Sequence, residues 1–235
     1  MSPRLRPVTA YALSAVTCLV GTACGQPEVK YEPRPAPSGL KASLPAVPSI
    51  PQKPIKAGDA YTIWGASYYL RSRVHRKEVY GKKLNLTGYI VKTNLPDAPE
   101  CAVHKAGKAD PEGCKAPIPA FWIGDTKDAA ESETIKVMGW ASNFAQLYDA
   151  IEKYDKVKDG EQPKEPHLDT FWGMNVPFPI PSKGAKVTVN GDYSTTFTRS
   201  STGAEADPIM GMMTLDKINY LEPAPEKATL PGMKK

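Results

Sequence analysis

The alternation of apolar and polar side chains is clearest in two segments that echo each other. Lys83-Leu84-Asn85-Leu86-Thr87-Gly88-Tyr89 and Lys186-Val187-Thr188-Val189-Asn190-Gly191-Asp192 share the order lysine, apolar, polar, apolar, polar, glycine. Period-two alternation predicts a half-buried strand, and a glycine at the same offset predicts a bend or bulge. Each segment runs on, as YIVKT and YSTTF. Asn190-Gly191 could alternatively be a two-residue hairpin turn, but the matching Thr87-Gly88 favours a kink. Between the two, PAFWIGD (119–125) and TIKVMG (134–139) predict further strands, joined by an acidic hairpin around Asp128–Ser132. Phe144, Leu147, Tyr148 and Ile151 recur at helical spacing, which predicts a helix over Asn143–Lys153 with Ser142 or Asn143 as N-cap. Met213, Leu215, Ile218 and Tyr220 mark a last strand, Met212–Leu221. Asp59–Arg76, with Tyr61, Trp64, Tyr68 and Tyr69, has no clean period and is expected to be a strand or short helix packed on the core.

The predicted order is strand, strand, strand, helix, strand, strand. In that order, and in the phrases YGKKLNLTGYI, PAFWIGD and GAKVTVNGDY as first, second and fourth strands, the chain resembles a bacterial OB-fold domain over about residues 78–223. The resemblance implies a mainly β body: a five-stranded Greek-key barrel with one helix between strands three and four. Asn94–Ile118 and Tyr154–Pro181 would then be long loop insertions. An immunoglobulin-like sandwich would need about seven strands and no central helix. Thr170–Lys183 is apolar but broken by prolines, so it is not expected to form an ordinary strand. It would either cover one barrel end or present Phe171, Trp172 and Phe178 to a partner.

Ahead of this body the pattern changes. Arg4 and Arg6 precede an uncharged run, Val8–Val20, and then the small residues Gly21-Thr22-Ala23. That is the order of a secretory signal, and no apolar run reaches the roughly 18 residues of a membrane-spanning helix. With Cys24 next, the segment resembles a bacterial lipoprotein signal, although Gly21 stands where such signals usually carry leucine. The resemblance implies removal of 1–23, a lipid on Cys24 and, from Gly25 after it, sorting to the outer membrane. Cleavage after Ala23 without lipidation is the alternative. Proline-rich Gly25–Gly58 reads as an extended spacer, at about 3.1 Å per residue. The expected organisation is a signal peptide (1–23), anchor and linker (24–58), OB-like barrel (59–222) and disordered tail (223–235).

Composition narrows the function. With 41% hydrophobic residues, a core is feasible, while 24 prolines and 18 glycines exclude an all-helical bundle. A net charge of +5 is well short of a nucleic-acid-coating protein. Cys18 falls in the signal and Cys24 at the cut, leaving Cys101 and Cys114 as an even pair in an exported chain. They are expected to form a disulfide, contributing about 3 kcal/mol for a loop of that length. The alternative, a metal site of Cys101, His104 and Cys114, lacks a fourth protein ligand. No G-x-S-x-G, P-loop, G-x-G-x-x-G or H-E-x-x-H occurs. His75, His104 and His167 lie on separate polar stretches, and His167-Leu168-Asp169 has no evident nucleophile to serve. No catalysis, metal or cofactor is expected.

Binding is the remaining class. In OB folds ligands lie across strands two and three, clamped by the first–second and fourth–fifth loops. Carried over, that face involves Trp122, Lys136 and Trp140, with Lys105 and Lys108 from one loop and Arg199 from the other. Aromatics with cations suit single-stranded nucleic acid, but export argues against it. An envelope protein, a carbohydrate or another small anionic ligand is the expected partner. Arg71, Arg73, Arg76 and Lys77 read as a solvated basic face, with a polyanion contact as the alternative.

Overall fold

A single long strand that bridges two barrel neighbours closes the barrel. In the computed structural model, which describes residues 32, 53–158, 160–198 and 205–233, β3 (Lys82–Thr93) pairs antiparallel with two strands in turn. Its first half faces β8 (Lys186–Ser194), from Lys82↔Tyr193 to Tyr89↔Lys186, and its end faces β4 (Phe121–Gly124), from Tyr89↔Gly124 to Thr93↔Phe121. The changeover falls beside Gly88, where a Cβ would lie 2.5 Å from the Gly124 carbonyl oxygen. β4 continues antiparallel into β5 (Ile135–Met138), β5 pairs parallel with β11 (Met212–Glu222), and β11 returns antiparallel to β8. The result is a closed five-stranded barrel, β3-β4-β5-β11-β8, with α3 (Phe144–Tyr154) between its third and fourth strands in chain order. This is the OB-like, mainly β architecture expected from the pattern. Gly191 lies inside β8 opposite a bulge between Leu215 and Lys217, and a Cβ there would sit 2.0 Å from the Thr214 carbonyl oxygen. Asn190-Gly191 is therefore a kink and not a turn.

Alternation decides which side chains fill the barrel. Phe121, Ile123, Ile135, Val137, Val187, Val189, Met213 and Leu215 are buried in one continuous core, each worth about 1.5–3 kcal/mol relative to exposure. Phe144, Leu147, Ala150 and Ile151 from α3 join that core, and the Asn143 side chain caps the helix by accepting from the Gln146 N–H. Before the barrel, β1 (Lys56–Ala57) and β2 (Ala60–Thr62) extend the sheet at β3, followed by α1 (Ile63–Arg71) and α2 (Arg76–Val79). Asp59–Arg76 thus contains both the strand and the helix that its ambiguous period allowed. β1 falls inside the expected linker. Both Asp125 carboxylate oxygens accept from the α1 N-terminus, at Ile63 N (2.7 Å) and Trp64 N (3.0 Å).

Two expectations need correction. Met174–Val176 is a strand, β7, pairing with β6 (His167–Asp169) and ending at Pro177, so 170–183 is not strand-free. Its downstream part is anchored: Val176 and Ile180 are buried, and Phe178 sits edge-on to Tyr154 at 5.0 Å. The chain after Pro223 is not a loose tail over its described length. Ala224, Ala228, Leu230 and Met233 punctuate it with apolar side chains that pack on the core, and Leu230 is 3% exposed. The expected signal segment, Cys24, the expected linker as far as residue 52 (Glu32 apart) and Arg199 lie outside the described residues.

Candidate functional site: the outer face of the second and third barrel strands

The alternation that sends Phe121 and Ile123 inward turns Trp122 outward on β4, and likewise Lys136 and Met138 outward on β5. Register sets Lys92, Trp122 and Lys136 in a row across three adjacent strands, Lys92↔Trp122 and Trp122↔Lys136. The two ammonium groups lie 5.2 and 5.3 Å from the Trp122 ring centroid, within cation–π range. Each cation also has a carboxylate. Lys92 reaches Glu131 at 3.2 Å, and Lys136 pairs with Glu205 from β10 (Glu205–Ala206).

This face is covered by the chain itself. β9 (Thr196–Phe197) pairs with β10 in the loop between the fourth and fifth barrel strands. Phe197 joins Ile118, Ala120, Met138 and Met212 in a second buried cluster outside the barrel. Trp122 and Trp172 pack against it, with the Trp172 and Phe197 rings 6.4 Å apart. The cover was not legible in sequence. Lys136 and Glu205 are 69 residues apart, and a two-residue strand leaves no periodic signal.

The other residues singled out for this face are placed elsewhere. Trp140 is 0% exposed in the barrel core, its ring 5.9 Å from Phe121, so the expectation that it contacts ligand is corrected. Gly139, at φ +84°, breaks the alternation just after β5 and turns the indole inward. Its Nε1–H meets no acceptor among the described residues. Lys105 pairs with Glu152 of α3 at 3.7 Å, and Lys108 is exposed. The loop that carries them is held to α3, where the Ala106 N–H donates to Asp149.

Cys101 and Cys114 form a disulfide within that loop. Their sulfurs are bonded to each other and are not thiolate ligands, and His104 Nε2 lies 3.0 Å from Asp110. Among the described residues no three His, Cys, Asp or Glu side chains are grouped to hold a metal ion. His167 and Asp169 hydrogen-bond to different partners. Buried Asp169 accepts from Ser142 N and Oγ and from the N–H groups of Phe171 and Trp172, tying the β6–β7 hairpin to the approach to α3. His167 Nε2 lies 3.2 Å from Gln146 Oε1. Burial is the main cause that holds the His167 pKa below its usual value, aided by nearby Lys153 and opposed by Asp149 and Asp169. A separate apolar cavity of about 320 Å³, between the end of α3, Phe178–Ile180 and the chain after Tyr220, is lined by Phe178 but by none of the residues expected on the β4–β5 ligand face.

No family model matches the sequence, and no curated protein matches it. Among solved structures, the OBody AM3L09 bound to hen egg-white lysozyme is similar with a TM-score of 0.26 and 15% identity, over 63% of this chain and 88% of that one. A protein assigned as an aspartyl-tRNA synthetase from Leishmania major Friedlin gives 0.30 and 13%, over 76% of this chain and 23% of that one. TM-scores this low bear on neither fold nor function.

Proposed function

We propose that this is an exported envelope protein, anchored to the outer membrane through a lipid at Cys24, whose OB-like barrel binds or scaffolds a partner without catalysis. The observation that carries the reading is the Cys101–Cys114 disulfide. Such bonds persist in oxidising compartments and are rare in the cytosol. A disulfide in the body and a basic, apolar, small-residue start ending at Cys24 therefore agree on export from independent parts of the chain. An envelope protein is the favoured partner. A carbohydrate or other small anionic ligand on the β4–β5 face is the second reading. The Lys92–Trp122–Lys136 row favours it, and the β9–β10 cover stands against it.

Intact mass of protein purified from membranes without reductant tests the first reading. The expected product starts at Cys24, carries a diacylglyceryl-sized increment and lacks two hydrogens. A chain that starts elsewhere, carries no lipid or has free thiols at Cys101 and Cys114 would overturn it.

A further inference from the structure

Residues 71–83 hold Arg71, Arg73, Arg76, Lys77, Lys82 and Lys83 against Glu78 alone, a net charge of +5. That equals the formal charge of the entire chain, so the rest of the sequence balances to zero. The end of α1, α2 and the start of β3, which pack on one another, carry these side chains, with Lys82 and Lys83 on opposite sides of the strand. Glu78 is engaged by His75 at 2.7 Å, and Lys83 by Asp216. Arg73, Lys77 and Lys82 are exposed and have no carboxylate partner among the described residues. Arg76 donates to the Leu70 carbonyl and lies over Tyr80 at 4.5 Å, which leaves its charge without an anion.

The same segment, with the exposed side of α1 before it, exposes apolar surface. Val74, between the two helices, is 70% exposed, Tyr68 48% and Tyr80 43%. A ladder of rings crosses it: Trp64 on Tyr68 at 4.8 Å, Tyr68 beside Tyr69 at 6.3 Å, Tyr69 on His75 at 4.5 Å. A soluble polyanion would satisfy the cations but leave Val74, Tyr68 and Tyr80 wet. A bilayer surface satisfies both sets. Lipid phosphates meet Lys and Arg, tyrosine rings suit headgroup depth, and an apolar tip enters the acyl boundary.

We propose that the α1–α2 face docks on an anionic phospholipid bilayer. The proposal rests on the envelope reading for the presence of a membrane, but not on the lipid at Cys24. The test uses the full chain with Cys24→Ser, sedimented with vesicles of phosphatidylethanolamine and phosphatidylglycerol or of phosphatidylcholine alone. Binding is expected to the phosphatidylglycerol vesicles only, and to fade at high salt. Each cation removed should weaken it about fivefold, so Arg73→Ala/Lys77→Ala/Lys82→Ala together should lose about a hundredfold. Val74→Ser, which alters no charge, should weaken it severalfold. Thermal unfolding establishes that the variants are folded.

No binding by the Cys24→Ser chain, equal binding to neutral vesicles, or full affinity in the triple or Val74→Ser variant would overturn the proposal. Capture on heparin without vesicle binding would assign the face to a soluble polyanion and overturn it equally. Because the lipid is absent from this experiment, its failure leaves the anchored reading to be decided by the mass measurement.

Discussion

Two faces of this protein combine aromatic rings with cations and treat them in opposite ways. On the outer face of β4 and β5, Lys92 and Lys136 lie over Trp122, and Glu131 and Glu205 supply a counter-charge to each. Phe197 and Trp172 cover what remains. On the α1–α2 face, Arg73, Lys77 and Lys82 have no carboxylate among the described residues, and Val74, Tyr68 and Tyr80 stay exposed. Residue types alone therefore do not make a site. What separates the two is whether the chain provides the counter-charge and the cover itself. The first face is completed by folding, and the second is not completed by any of the described residues.

The largest test of that contrast removes the cover. Phe197 is fully buried against Met138 and Met212, outside the barrel. Truncating a core phenylalanine costs about 3–5 kcal/mol. Because a cluster on the barrel surface can relax, Phe197→Ala is expected near the low end, about 3 kcal/mol by denaturant unfolding. Acrylamide should then quench tryptophan emission more strongly, as Trp172 and Trp122 lose their neighbour. A loss below about 1 kcal/mol would mean that the hairpin merely rests on the face, and the contrast would fail.

A smaller effect isolates the charges. Lys136 has a side chain only 20% exposed, and Glu205→Gln would leave its ammonium without an anion. The expected cost is about 1 kcal/mol, since the pair is partly open to solvent. Arg73→Ala removes an exposed cation with no carboxylate partner among the described residues and should change stability by less than about 0.5 kcal/mol. Equal costs in the two variants would show that intramolecular counter-charge does not distinguish the faces.

The same contrast explains what could be read from the sequence. The barrel strands were legible because Leu84/Leu86 and Val187/Val189 alternate ahead of Gly88 and Gly191, and both glycines are needed where carbonyls approach. The helix was legible from the spacing of Phe144, Leu147 and Ile151 and from Asn143 as its cap. The disulfide followed from the parity of the two cysteines left once Cys18 and Cys24 are assigned to the expected signal. The candidate site was legible only as far as Trp122 and Lys136. Trp140 fits the outward parity of β5 until Gly139 reverses it, a dihedral that local pattern does not encode. Glu205, Phe197 and Trp172 reach the face from distant, very short strands and a hairpin tip. The basic run at 71–83 was visible as composition, but its lack of partners is a property of the folded chain.

The smallest predicted effect concerns how the covered face responds to acid. Trp172 is carried by the β6–β7 hairpin, at whose base His167 meets Gln146. Asp149, Lys153 and Asp169 surround the imidazole, but burial dominates and holds its folded pKa below the ordinary 6.5. A depressed pKa means that the unfolded chain takes up a proton the folded chain resists. The contribution to stability is therefore complete above about 6.5 and is lost as the pH falls through the lowered folded value. Denaturant midpoints measured from about pH 7.5 to about pH 5.5 should fall more steeply for the native chain than for His167→Gln, which has nothing to protonate there. Carboxylates titrate equally in both, so the difference between the two slopes belongs to His167. If the slopes coincide, the hairpin base is not acid-sensitive, and the cover over Trp122 holds through this range on Phe197 and Glu205 alone.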